Sequence, residues 1–285
     1  MKSSLGHRLM ATALCAATSL FSAYGQSEVI RPVLSSYCLE VGGKSLTQTY
    51  LSPLKYSGLT LALDYERMQA MRFNSEKWVM KLDGRLSYDS GLNPAGNARM
   101  YDISLRLGWS MAHRWRLSKG FTVLAGGNTS ITCGADYSPR NSNNPVAAKG
   151  AWTVGATGSL VWNGKFGRLP VCIRYQATLP VTGCFFCPEY GELYYEIYLG
   201  NRKGLAHGAW LGNYFNLDNL ATIDLRFGNT ILRAGYRCDV FSSKANDIVS
   251  RSTSHTFVLG IVSEWISIGT KKLDVSDAKI ISALY

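Results

Sequence analysis

The sequence predicts an all-β fold, a single antiparallel up-and-down transmembrane barrel of about twelve strands. Apolar and polar residues alternate in one segment after another, and these segments follow an N-terminal export signal. In residues 77–89, Trp78 and Leu82 fall on one face of a strand, whereas Lys81 and Asp83 fall on the other. In a membrane barrel the apolar face meets lipid and the polar face lines the lumen. In a soluble sandwich these two faces would be reversed.

Residues 1–25 have the features of a signal peptide. Lys2 and Arg8 provide a positive start, residues 9–21 form an apolar core, and residues 23–25 provide small side chains for cleavage. We therefore expect export and an outer-membrane location.

The remaining chain is predicted to form one barrel domain over residues 26–269, followed by a C-terminal tail over residues 270–285. Two alternatives remain open for the end of the barrel. Either Trp265 closes the last strand and a tail follows, or residues 280–285 are strand as well.

Twelve strands follow from the alternation, and most of them are longer than the roughly 9–11 residues that a membrane-crossing strand needs. They are predicted at residues 36–47, 57–69, 76–89, 99–113, 119–134, 148–163, 168–182, 192–200, 205–216, 219–227, 230–241 and 253–267.

The connections between these strands fall into two classes, as in outer-membrane barrels, with short turns at one end and longer loops at the other. Turns are expected at residues 72–75, 114–118, 164–167, 201–204 and 228–229. Loops are expected at residues 47–56, 91–98, 137–147, 182–191 and 242–252. The link at residues 216–218 is short where a loop should be.

The charge is strongly basic. The whole chain carries 30 basic and 19 acidic residues, and without Lys2 and Arg8 the balance is 28 against 19, or +9. Because the chain is exported, we expect no nucleic-acid partner. Membrane lipid, either lipopolysaccharide or phospholipid, matches this charge better. Arg140, Lys149, Lys244 and Arg251 are candidate cations at the outer rim for lipopolysaccharide phosphates, or else solvated loop charges.

The polar faces predict a charge network in the lumen with eight acids and seven bases. Such a near-neutral balance indicates paired charges that fill the barrel, and the alternative is a narrow conduit for a small ion or solute. The predicted members are Asp64, Glu66, Lys81, Asp83, Arg85, Asp102, Arg106, Arg174, Glu196, Asp224, Arg226, Arg233, Arg237, Asp239 and Glu264.

A lipid-modifying hydrolase is the enzymatic alternative. Ser254 or Ser252 with His255 and Asp247 is the candidate catalytic set, because these residues cluster at the outer end of the last strand. The sequence contains no phosphate-loop motif, no dinucleotide motif and no His/Cys cluster with metal-ligand spacing, so we expect no cofactor and no metal.

Cys184 and Cys187 lie close together in sequence and are a candidate local disulfide, which export would permit. A redox enzyme is not expected, since the pair is not set in a strand–helix–strand unit.

Several segments of the second half resemble an uncharacterised family of Gram-negative bacterial cell-envelope proteins, a domain of unknown function. The segments that carry the resemblance are residues 140–146, 179–181, 188–197, 219–227, 232–236 and 255–260. The resemblance implies an envelope protein and implies no activity.

Three functions are therefore considered. The first is an outer-membrane barrel with a structural or binding role or a narrow conduit, inserted by the outer-membrane insertion machinery, with a small solute as a candidate ligand. The second is the Ser/His hydrolase. The third is a secreted soluble β-sandwich that binds a partner.

Overall fold

The computed structural model describes residues 29–118, 120–142, 144–201, 203–228, 230–265 and 279–284. The described residues belong to two compact units. In the smaller unit, β1 (Val29–Ile30) pairs in parallel with a late strand at Lys279–Ile280. The larger unit is the described part of Arg31–Ser267 and Ile281–Tyr285. The predicted signal peptide and residues 270–278 of the predicted tail lie outside the described residues.

The larger unit is a closed antiparallel barrel of ten strands with one additional short strand. The ring comprises β2 (Val33–Gln48), β3 (Ser52–Ala70), β4 (Trp78–Leu92), β5 (Arg99–Ser118), β6 (Phe121–Tyr137), β7 (Val146–Phe166), β8 (Leu169–Phe186), β10 (Tyr214–Phe227), β11 (Thr230–Ala245) and β12 (Ile248–Trp265). The additional strand is β9 (Ala206–Trp210), and the late strand of the smaller unit is β13.

The ring closes between β12 and β2 and between β8 and β10. The strand β8 is shared, since its first half pairs with β10 and its last residues pair with β9. The prediction of a closed antiparallel barrel is confirmed, and the predicted number of twelve strands is wrong.

Two predicted strands account for the difference. Residues 192–200 form a loop with a short helix, α1 (Tyr194–Tyr198), which begins where the Glu196 carboxylate accepts a hydrogen bond from the backbone N–H of Leu193. Residues 205–216 contain only β9 and the start of β10. The short link at residues 216–218 therefore lies inside β10.

The barrel has a turn end and a loop end. The turn end carries the connections from β3 to β4, from β5 to β6, from β7 to β8 and from β10 to β11. The loop end carries the connections at residues 49–51, 93–98, 138–145, 187–213 and 246–247. The predicted short turn at residues 201–204 belongs to the long connection at the loop end, as a consequence of the miscounted strands.

The predicted loop at residues 242–252 is a two-residue hairpin turn. Asn246 and Asp247 have φ angles of 48° and 60°, and β11 and β12 pair up to Ala245 and Ile248 on either side of them. Positive φ at both central residues is the mark of the turn whose twist matches that of the paired strands.

Inside and outside alternate along every strand of the ring. In β2, Leu34 and Glu40 are buried in the lumen, whereas Tyr37, Leu39 and Val41 are exposed on the outer wall. Because successive side chains point to opposite faces, one strand contributes both a polar interior and an apolar exterior.

At the turn end an apolar core fills the lumen. Its buried members are Leu34, Met68, Val79, Leu124, Val161, Cys172, Ile231, Val262, Ala283 and Leu284. The last two belong to the chain terminus, so residues 281–284 form part of this core and are not a further strand of the ring. The last strand of the ring ends at Trp265.

Arg114 fixes the terminal segment in place. Its guanidinium donates hydrogen bonds to the carbonyl oxygens of Ser282 at 2.6 Å and of Ser75 at 2.7 Å. Asn163 donates a further hydrogen bond to the carbonyl oxygen of Leu284 at 2.6 Å. These hydrogen bonds close the turn-end core, which is defined by the ten residues named above, on the side of the turns.

Among the described residues, no helix has the length and apolar character needed to cross a membrane.

The hairpin turn makes a testable prediction. Asp247→Val should lower the free energy of unfolding by about 1–2 kcal/mol, because a branched side chain is disfavoured at positive φ. Asp247→Gly removes the same carboxylate without the strain and should leave the stability unchanged or higher. Guanidinium titration of the folded protein in phospholipid vesicles measures both. Equal losses in the two variants would show that the carboxylate, and not the backbone, matters.

Candidate functional site

The lumen holds the polar residues that could carry a function. Its ion pairs join eleven carboxylates to nine cations in the described part of the chain. Fourteen of the fifteen residues assigned to the lumen from the sequence take part in these pairs. The exception is Glu196, which is exposed on helix α1 and outside the barrel, because its segment is not a strand.

Arg237 is the centre of the network. Its guanidinium nitrogens lie 2.8 Å from a Glu40 carboxylate oxygen, 2.8 Å from one of Asp64 and 2.7 Å from one of Asp218. Arg85 and Arg106 complete this layer, on Glu40 and Asp218 respectively. All five nitrogen-bound hydrogens of a guanidinium can donate, which lets one arginine bridge several carboxylates.

A second layer lies between Arg237 and the turn-end core. Arg233 holds Asp224 with two parallel hydrogen bonds of 2.7 and 2.8 Å. The Glu66 carboxylate lies 3.0 Å from Arg233 and 2.8 Å from Arg174. These side chains are almost fully buried. Burial of such charges is tolerated only because each one has a partner of opposite sign.

A third layer lies toward the loop end. Of its members, the sequence predicted only Asp102 to face the lumen. Lys44 pairs with Asp89 at 2.7 Å and with Asp102. Lys149 lies 2.9 Å from Asp102 and 2.7 Å from Asp136. Lys149 therefore faces the lumen and is not a cation of the outer rim, because β7 begins before it, at Val146.

At the level of the third layer is a cavity of about 140 Å³, called here the loop-end chamber, which extends down to Arg85 and Arg106 of the Arg237 layer. Its polar walls include Lys44, Lys149, Asp89, Asp102 and Asp239, and its apolar walls include Phe185, Phe241, Tyr50, Tyr194 and Tyr214. A smaller cavity of about 30 Å³ lies deeper, beside Arg237.

Two tyrosines from the loops cover the chamber. The hydroxyl of Tyr50 donates to the carbonyl oxygen of Glu192 at 2.6 Å, and the hydroxyl of Tyr194 accepts from the Ala148 N–H at 2.6 Å. Their rings meet edge to face at 5.9 Å. Burial raises the pKa of Tyr50 to about 12, and it also raises the pKa of Tyr194. Both hydroxyls therefore remain protonated at neutral pH.

Three buried oxygens on the chamber wall have no hydrogen-bond partner in the protein. They are Oδ1 of Asp102, Oδ1 of Asn216 and Oγ of Ser250. Buried acceptors of this kind normally find a donor, so the chamber can receive the N–H or O–H groups of a ligand or of water. Within the described ranges, no three His, Cys, Asp or Glu side chains are arranged to hold a metal ion.

The candidate catalytic residues do not come together. Ser254 is buried and points into the lumen, whereas His255 is exposed on the outer wall, where the hydroxyl of Tyr236 lies 2.6 Å from its Nδ1. Neighbouring residues of a strand point to opposite faces, which separates the two. Asp247 lies in the hairpin turn at the far end of β12. Ser252 shares the inward face of Ser254. The structure therefore does not bring the Ser/His hydrolase set together.

The candidate disulfide does not form. Cys184 and Cys187 are both free thiols, the first exposed and the second buried. Three residues apart along an extended chain, their side chains leave from opposite faces. Burial raises the pKa of the Cys187 thiol to about 11, which keeps it protonated and unreactive at neutral pH.

A family model matches residues 9–272, and its description is "Protein of unknown function (DUF3316)". The chain belongs to this family, in agreement with the resemblance seen in the sequence. No curated protein matches the chain.

Among solved structures, the chain is similar to the outer membrane protease OmpT from Escherichia coli, with 6% identity, a TM-score of 0.46 and coverage of 82% of this chain and 97% of that one. It is also similar to the translocator domain of the autotransporter NalP from Neisseria meningitidis, with 11% identity, a TM-score of 0.36 and coverage of 91% and 96%. A third match is Neisserial surface protein A, with 10% identity, a TM-score of 0.33 and coverage of 81% and 97%.

The network makes a quantitative prediction. Arg237→Met leaves three buried carboxylates without their shared cation and should lower the free energy of unfolding by about 3–5 kcal/mol. Arg226→Met removes a cation from a partly exposed pair with Glu264 and should change it by less than about 1 kcal/mol. Guanidinium titration in vesicles compares the two variants. Similar losses in the free energy of unfolding for both variants would mean that burial does not make the Arg237 ion pairs more important for stability than the partly exposed pair.

Proposed function

We propose that this protein is an integral outer-membrane barrel that does not conduct and that binds a small polar ligand in its loop-end chamber. The narrow conduit is the alternative within the same class. A soluble β-sandwich does not agree with a single closed ring of ten strands.

The distribution of side chains around the barrel wall supports the membrane location. Large apolar residues are exposed on the outside of every strand of the ring, for example Leu63, Ile103 and Leu259, while the charges are buried inside. A soluble monomer rarely exposes a contiguous apolar surface of this extent. A lipid bilayer is the environment in which such a wall is stable.

Aromatic residues are exposed near both ends of the wall. Tyr88, Tyr101 and Tyr137 form a stacked row toward the loop end, with ring centroids 6.3 and 6.2 Å apart. Trp115 and Trp265 are exposed toward the turn end. Aromatic girdles at the two interfaces are typical of membrane barrels. The long connection at residues 187–213 favours the loop end as the outer one, because extracellular loops are usually the longer ones.

The closed lumen favours binding over conduction. The turn-end core, the Arg233 layer and the Arg237 layer follow one another along the lumen, and each of them is buried. A solute coming from the loop end meets the chamber first and the ion-paired layers next. The unpaired oxygens of Asp102, Asn216 and Ser250 give the chamber, which is the first part of this path, spare hydrogen-bonding capacity.

Surface labelling tests the location and orientation. Ser142→Cys places a thiol in an exposed loop, and Arg168→Cys places one in an exposed turn at the opposite end. A membrane-impermeant maleimide on intact cells should label the first and not the second, and both should react after lysis. The parent chain, with its native cysteines, gives the background. Labelling of Arg168→Cys alone would reverse the orientation, and recovery of the protein without detergent would overturn the membrane location.

Chemical access tests the chamber against the conduit. Ser250→Cys lies on the chamber wall, and Thr222→Cys lies in the buried lumen near the Arg233 layer. A small cationic thiol reagent should modify Ser250→Cys, and it should do so faster when Tyr194→Ala removes part of the cover. Thr222→Cys should stay unmodified in the folded protein. Equal rates at the two positions would indicate an open path.

A further inference from the structure

The outer wall becomes polar on β12, β2 and β3 toward the loop end. There a shallow groove of about 620 Å³ is lined by Lys55, Arg251 and His255, together with the hydroxyl residues Ser45, Thr47, Ser57 and Thr253. The register places Arg251 opposite Thr47, Thr253 opposite Ser45, and Ser45 opposite Ser57. A polar surface therefore replaces the apolar wall across three neighbouring strands.

The charge of this groove is of one sign. No carboxylate lines it, and the described residues place no acid within ion-pair distance of Lys55 or Arg251. This contrasts with the three ion-paired layers of the lumen, where every cation has an acidic partner. Uncompensated arginine and lysine beside hydroxyl groups match a phosphate, since the guanidinium fork binds two of its oxygens at once.

Apolar residues lie directly below the groove on the same strands. Phe257, Val41 and Leu59 are 70%, 41% and 52% exposed, and they begin the apolar wall. A ligand that uses both surfaces has a phosphate and hydroxyl groups above and a hydrocarbon chain below. A free phosphate ion would use only the upper part, where exposed charges in water attract it weakly.

We propose that this groove binds the phosphate-bearing saccharide headgroup of an outer-leaflet glycolipid, whose acyl chains pack on Phe257, Val41 and Leu59. The proposal rests on the outer-membrane placement above and adds a specific lipid site to it. Arg251 and Lys55 hold the phosphate. The hydroxyls of Ser45, Ser57 and Thr253 hydrogen-bond to the phosphate or the sugar.

Native mass spectrometry of the purified protein in detergent tests the proposal with added lipid A as the probe. The parent chain should retain diphosphorylated lipid A, and the double variant Lys55→Ser with Arg251→Ser should bind it about tenfold or more weakly. The double variant Arg99→Ser with Arg140→Ser removes the same charge from exposed cations elsewhere at the loop end and should bind as the parent does. Unchanged mobility of unboiled samples on detergent gels verifies that all variants are folded.

Four results would overturn the proposal. The first three are equal loss in both double variants, equal retention of dephosphorylated lipid A, and equal retention of phosphatidylglycerol. The fourth is competition by inorganic phosphate at concentrations similar to that of lipid A, which would assign the groove to the free ion. The binding measurement uses folded protein in micelles, so a negative result there would leave the membrane location untouched. The cell-labelling experiment alone tests location and orientation.

Discussion

The rest of the structure depends on the way in which Arg237 holds the carboxylates of Glu40, Asp64 and Asp218 together. These four residues come from four strands, so one guanidinium fixes the relative positions of β2, β3, β10 and β11 across the lumen. Without partners, the buried charges would strongly favour hydration and an opened lumen. With them, the interior of the barrel is a packed polar core, and the apolar side chains are left for the outer wall.

This arrangement explains why the barrel contains distinct compartments. The turn end is filled by apolar side chains and by residues 281–284, which Arg114 and Asn163 hold through backbone carbonyls. The middle is filled by the paired charges. The loop end keeps the chamber of about 140 Å³, whose wall carries three buried oxygens without a hydrogen-bond partner among the described residues. Binding capacity is therefore concentrated at the end that the long connection covers.

Alternation in the sequence was sufficient to predict the closed barrel, the inward face of most strands and fourteen members of the network. Alternation did not predict the segments that depart from regular strands. The segment around Glu196 is apolar and aromatic enough for a strand. However, the Glu196 carboxylate accepts a hydrogen bond from the Leu193 backbone N–H, and a short helix begins there. Asp136 lies beyond the predicted strand at residues 119–134, because β6 continues to Tyr137. Lys149 lies at the start of a predicted strand and was assigned to the outer rim, but β7 begins earlier, at Val146, and turns this side chain into the lumen. Pairing partners from distant strands, such as Lys44 with Asp102, depend on register and closure, which alternation does not specify.

The most direct test of the sealed lumen is single-channel recording in planar bilayers, with an open porin as the positive control. Insertion can be verified separately by protease protection in vesicles of the same lipid. Inserted protein should give no steps of current at any applied potential of either sign. A stable, reproducible open level from the folded protein would contradict it, since ions would then cross layers that the structure fills with paired side chains.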